Sequence, residues 1–151
     1  MKVPQHYIPS SLNKRQKSTA KRELKKSRRA YKKGQYYTRK KIKGYKNRRS
    51  SWETKVKAVY QIPKSKKLTI STLANKSKCT KKALKQIVRK GMGAYYSSGS
   101  RPNQTPHSWG YARLYSSLAG GPASKVDYYI LKKGCKKNSK SLKLAKNPKT
   151  N

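Results

Sequence analysis

Only three carboxylate side chains, Glu23, Glu53 and Asp127, stand against 42 lysines and arginines in this chain of 151 residues, a formal net charge of +39. Self-repulsion on that scale opposes compaction unless polyanions or acidic partner surfaces neutralise it. The apolar side has little to set against it. Hydrophobic residues make up 32% of the chain, where ordinary globular chains reach about 45–50%. Phe is absent, and 12 tyrosines carry most of the aromatic surface. A core built from these residues is small, Tyr-lined and dependent on a partner. The partners that such a charge selects are nucleic acid, an anionic membrane face or acidic protein.

One stretch departs from the basic background. GMGAYYSSGSRPNQTPHSWGYARLYSSL, from Gly91 to Leu118, has only Arg101 and Arg113 as cations and no carboxylate. It predicts the heart of a folded domain over residues 52–135. The expected fold class is α+β, with about two helices and two to three short strands, flanked by long basic extended arms. Val56, Ala58, Tyr60 and Ile62 alternate with polar residues, the period of a half-buried strand, and Leu68 and Ile70 alternate again after Pro63. Residues 77–90 read as a helix with Ser77 or Thr80 as N-cap, a stripe of Ala83, Leu84, Ile87 and Val88, and Gly91 just past its end. GMGAYYSSGSRPNQTP reads as a structured loop. His107 or Ser108 then begins a second helix with Tyr111, Leu114, Tyr115 and Leu118 on one face, and Val126, Tyr128 and Ile130 outline a last strand.

The flanks are predicted to be arms. Residues 1–51 hold 19 Lys and Arg against Glu23 alone, a composition expected to be largely disordered unless bound. Between Thr19 and Lys33 a basic helix is expected against a polyanion, capped by Ser18 or Thr19. GQYYTRKKIKGYKNRRSS then interleaves tyrosines with cations. That mixture suits phosphate contacts plus stacking on bases, and equally an arm that lays tyrosines into pockets of neighbouring proteins. The candidate polyanion- or partner-binding residues of this arm are Lys25, Lys26, Arg28, Arg29, Tyr31, Lys32, Lys33, Tyr36, Tyr37, Arg39, Lys40, Lys41, Tyr45, Arg48 and Arg49. Residues 136–151 form a second arm, with Lys136, Lys137, Lys140, Lys143, Lys146 and Lys149 and no acid.

Cys79 and Cys135 are far apart and lack a CxxC pattern, which fits neither a zinc site nor a disulfide-rich secreted scaffold. They are expected to be small buried thiols. The N-terminal residues have no apolar signal-peptide core, and no apolar run approaches the length of a membrane span. The chain is therefore expected to be made and assembled in the cytoplasm or nucleus and not secreted.

Catalysis finds little in these residues. Two-metal phosphoryl chemistry needs clustered carboxylates, and the three acids fall in different segments. A Ser–His–acid triad would need His107, one of many serines and Asp127, with no supporting spacing. Arg101, His107 and Arg113 around one loop make a candidate core anion site. The structural alternative is that the two arginines donate to backbone carbonyls or to Asp127 and that His107 caps a helix. No enzyme activity, cofactor, metal or small-molecule substrate is expected.

Two segments carry a resemblance. ELKKSRRAYKKGQYYTRKKIKGYKNRRSS resembles a basic module of the form LKKS-x-x-x-Y-x-x-G-x-Y-x-x-RKK in proteins of nucleocytoplasmic large DNA viruses. The segment from Arg89 to Lys137, with GMGAYYSSGSRP followed by SWGYARL, resembles an uncharacterised small domain of the same viruses and some phages. Trp52 follows Ser50–Ser51 where the module often has His. The resemblance implies a virion-associated protein and supplies no activity. The expected function is a structural virion protein, a minor capsid protein whose domain docks on other capsid proteins and whose arms face acidic surfaces, an anionic membrane or packaged DNA. The alternative is a non-sequence-specific nucleic-acid-binding protein that condenses viral DNA.

Overall fold

In the computed structural model, which describes residues 3–47 and 50–148, the described residues contain eight α-helices and no sheet. After a 3-10 turn at Gln5–Tyr7 come α1 (Lys14–Lys32), α2 (Ser51–Val59), α3 (Ile70–Ser77), α4 (Lys81–Ser97), α5 (Pro106–Leu118), α6 (Pro122–Val126), α7 (Tyr128–Gly134) and α8 (Lys140–Lys146). The α+β expectation is corrected to an all-helical fold.

Each predicted strand fails for a local reason. Val56 and Tyr60 are two residues apart twice over, but also one helical turn apart, and a run this short does not separate the two periods. Ser50 accepts a hydrogen bond from Trp52 N and starts α2, with Val56 buried. Thr69 accepts from Thr72 N at 3.1 Å, so Ile70 opens α3 instead of continuing a strand. Pro122 stands at the first position of α6, where a missing N–H costs nothing. Val126 ends that helix, and Tyr128 and Ile130 belong to α7.

The helix expected over 77–90 exists and runs further. Thr80 is its cap, its hydroxyl accepting from Ala83 N at 3.2 Å. Gly91 does not end it, and GMGAYYS is helical where a loop was expected. A close approach explains the glycine: a Cβ at Gly91 would stand 2.6 Å from Gly110 Cα in α5. At the start of α5, Thr105 and Ser108 exchange reciprocal bonds of 2.9 and 3.0 Å between hydroxyl and backbone N–H. Thr105 is thus the cap, not His107, and α5 begins at Pro106, ahead of the expected start at His107 or Ser108.

The contacts divide the chain into two compact units, Met1–Arg49 with Met92–Trp109, and Ser50–Gly91 with Gly110–Asn151. This differs from the expected partition at 51/52 and 135/136. In the first unit α1 begins at Lys14, five residues before the expected start. Asn13 and Gln16 form its capping box. Ala20, Glu23, Leu24 and Ser27 form its buried stripe, at three- and four-residue spacing. Leu12, Ala20 and Ile42 cluster with Ile8 and Tyr45 packed against them. Gly99 has φ +132°, and a Cβ there would meet Leu24 Cδ2 at 2.7 Å.

The second unit buries Val56, Leu73, Leu84, Ile87, Leu114, Leu118 and Leu131 completely. Cys79 and Cys135 are joined in a disulfide, which corrects the expectation of free thiols. Backbone bonds from Thr80 N to Gly134 O and from Lys136 N to Lys78 O bring the two segments side by side. A separation of 56 residues in sequence carries no information about that adjacency. Among the described residues no helix is long and apolar enough to cross a membrane.

Candidate polyanion-binding groove

The first unit carries a groove of about 960 Å³ between α1 and the extended segment that returns along it. Six cations line it, Lys21, Arg22, Lys25, Lys26, Arg29 and Lys33, and all are exposed. Ser18, Ala30, Gln35, Tyr36 and Tyr37 complete the lining, with no carboxylate among them. The four-residue steps from Lys21 to Lys25, Arg29 and Lys33, with Arg22 and Lys26 alongside, place the charges on one flank of the helix. The buried stripe of Ala20, Glu23, Leu24 and Ser27 occupies another.

The wall opposite α1 is held by the only acid of this unit. Glu23, 7% exposed, accepts from the Tyr37 hydroxyl at 2.9 and 3.1 Å and from Lys40 N at 2.6 Å. Burial and the bond to Glu23 raise the Tyr37 pKa above its ordinary value. Lys26 Nζ lies 4.6 Å from the centre of the Tyr37 ring. Arg39 goes inward. Its guanidinium donates to Ser27 Oγ, Tyr95 O and Ser100 Oγ at 2.9, 2.8 and 2.7 Å, and burial lowers its pKa. Further along, Asn103 accepts from Ile42 N at 2.6 Å and donates to Tyr45 O at 2.7 Å, and Gln16 donates to Lys43 O at 2.8 Å. The segment from Tyr37 to Tyr45 is therefore pinned at several points. Glu23 is consumed in the interior, its oxygens accepting from the Tyr37 hydroxyl and Lys40 N.

Tyr36 stands at the rim. It is 72% exposed, with its ring 5.0 Å from Tyr96 and 6.3 Å from Tyr31, itself 39% exposed.

The model of a protein family matches residues 4–142, covering both units nearly end to end. The chain belongs to the family of unknown function DUF5824. No curated protein and no solved structure matches it. The DUF5824 match assigns no site.

Of the arm residues singled out from the sequence, Lys25, Lys26, Arg29, Lys33, Tyr36 and Tyr37 line the groove. Lys32, Lys40 and Lys41 are exposed outside it, and Tyr31 touches its rim through Tyr36. Arg28 donates to Ser98 O at 2.7 Å, Arg39 is internal, and Tyr45 is half-buried. Arg48 and Arg49 lie outside the described residues, as does Lys149 of the expected C-terminal arm. Lys21 and Arg22 also line the groove and lie outside the set expected from the sequence. Their helical spacing with Lys25, Lys26 and Arg29 was the signal that could have found them.

The candidate core anion site is distributed differently. Arg101 and His107 are exposed in the first unit, Arg101 close enough to His6 for its charge, after burial, to lower the His6 pKa. Arg113 belongs to the second unit and is engaged by Asp127, whose carboxylate is fully buried. Its Nε and Nη2 donate to the two carboxylate oxygens at 2.8 and 2.7 Å. Ser117 adds a bond of 3.1 Å, and Lys90 Nζ stands 3.6 Å away. Hydrogen bonding to Asp127 raises the Arg113 pKa. That carboxylate takes one edge of the guanidinium in a bidentate pair. Among the described residues no group of three or more His, Cys, Asp or Glu is placed to hold a metal ion.

Proposed function

We propose that this protein is a nucleic-acid-binding structural protein whose first unit takes a phosphate backbone in the α1 groove without reading sequence. The observation that carries this is the lining of six exposed cations with no carboxylate. A helix face that merely stays solvated mixes both signs of charge, and this one does not. Phosphate contacts need cations in a row and no particular base geometry, which is what α1 offers. In the setting that the resemblance implies, the nucleic acid is that of a large DNA virus, and the protein is a virion component.

The test is the salt dependence of DNA binding by the full chain. The logarithm of affinity should fall with the logarithm of salt by about 0.9 per phosphate neutralised. Lys21→Ala, Lys25→Ala and Arg29→Ala combined should reduce that slope by about two to three. An unchanged slope would refute the groove as the DNA site.

A minor capsid role, docking on neighbouring proteins, is the second reading. One observation favours it: the second unit exposes Val126 and Tyr129, at 62% and 56%, beside Lys90 and Lys125. The arm tyrosines weigh against docking through the arm, because Tyr37 and Tyr45 are taken up within the same unit. Loss of particle incorporation in a Val126→Ser, Tyr129→Ser variant that binds DNA normally would favour capsid docking over the groove.

A further inference from the structure

The groove has a second component that phosphate binding does not require. Tyr36 lines it with 72% of its surface in water, supported by the rings of Tyr31 and Tyr96. An aromatic ring held by two others, yet left open, is pre-arranged to receive another flat group. In a duplex the faces of the bases are covered by their neighbours in the stack, so only edges and phosphates meet a protein surface. In a single strand the faces are available. Stacking on an aromatic ring is then sequence-tolerant, because every base has such a face.

We infer that the groove's ligand is a single-stranded nucleic acid, its phosphates held by Lys21, Lys25, Arg29 and Lys33 and an unpaired base laid on Tyr36. This rests on the nucleic-acid reading above and narrows it. The stretch from Ser18 to Lys33, most of α1 and its C-cap, spans about 22 Å at the helical rise, room for a short run of nucleotides. The wall opposite the helix is fixed through Glu23, Tyr37 and Lys40, so the distance from the cations to the Tyr36 rim is set before the ligand arrives. Such pre-arrangement lowers the ordering cost of binding.

The experiment compares a fluorescent oligothymidine with a duplex of equal phosphate number, each titrated with the full chain by anisotropy across a salt series. The single strand should bind more tightly, increasingly so as salt screens the shared charge term. Tyr36→Ala should weaken the single strand by on the order of tenfold and leave the duplex unchanged. Tyr36→Trp should retain or tighten single-strand binding. Lys25→Glu with Arg29→Glu should weaken both ligands. Tyr36 is exposed, so its variants should melt as the parent does; Tyr36→Leu, which keeps bulk without the aromatic face, serves if the alanine variant does not.

Equal affinity for both ligands with no effect of Tyr36→Ala, or a preference for the duplex, would overturn the single-strand inference. If the charge reversals still weakened both, the nucleic-acid reading would survive that failure. Charge reversals without effect on either ligand would remove the groove and the inference together. Binding of phosphatidylserine vesicles through the same residues, without oligonucleotide binding, would also overturn both.

Discussion

Arg39 and Tyr95 contact each other three times: the Arg39 guanidinium carbon lies 3.8 Å from the centre of the Tyr95 ring, Arg39 N donates to the Tyr95 hydroxyl at 3.0 Å, and the guanidinium donates to Tyr95 O at 2.8 Å. Tyr95 is completely buried, and the same guanidinium also reaches Ser27 Oγ and Ser100 Oγ. A planar fork with several donors suits this site, and an ammonium does not. The returning segment, α1, the end of α4 and the loop after it therefore meet at one cation.

Removing that cation should loosen the first unit. Arg39→Ala is expected to cost about 2–4 kcal/mol, since it leaves three acceptors and the Tyr95 ring without their partner. Arg39→Lys should recover only part of it. Denaturant unfolding measures the cost, and hydrogen exchange at Tyr95 and Tyr96 localises it; stability equal to the parent's would contradict the role.

Glu23 should act as the latch of the groove. Glu23→Ala frees Tyr37 and the backbone N–H of Lys40 and is expected to cost about 1–3 kcal/mol. Limited trypsin digestion should then cut after Lys40 or Lys41 faster than in the parent. A cleavage pattern identical to the parent's would rule out the latch.

The disulfide should contribute chiefly to the second unit. Closing a loop over a separation of 56 residues corresponds to about 4 kcal/mol in the chain-entropy account. Reduction, or Cys79→Ser with Cys135→Ser, should lower the melting transition of the residues around α4 and α7 accordingly. Melting curves unmoved by reductant would refute the contribution.

Two tyrosines of the second unit should titrate late. Burial, then the Glu53 charge, raises the Tyr115 pKa to about 12, and burial also raises that of Tyr60, whose hydroxyl donates to Leu118 O at 2.6 Å. With folded values above the ordinary 10.0, the folded state holds these protons more firmly than the unfolded chain. Their stabilisation is complete below pH 10 and is lost as pH rises through the folded values. Ultraviolet titration should show a late-ionising fraction that shrinks in Tyr115→Phe and Tyr60→Phe. The comparison between variants is the decisive measurement.

Legibility from the sequence varied with the range of the cause. The cap at Thr80 and the stripe of Ala83, Leu84, Ile87 and Val88 depend on neighbours within a few residues and were readable. The alternation from Val56 to Ile62 was equally local but ambiguous, because Val56 and Tyr60 satisfy a strand and a helix alike. Gly91 looks like a helix end, since a glycine within α4 makes sense only once Gly110 is seen against Gly91.

By itself the sequence determined the excess of positive charge, the shortage of acids and the concentration of tyrosines with cations between Tyr31 and Tyr45. These are sums over residues, and no fold alters them. Only the tertiary structure decided which charges remain available. Arg39 and Arg113 turn inward while Lys21, Arg22 and Lys25 face water, and Cys79 finds Cys135. Glu23 and Asp127 are withdrawn from the surface by burial. Those outcomes depend on contacts between segments distant in sequence, where geometry and desolvation, and not composition, set which partner each group meets.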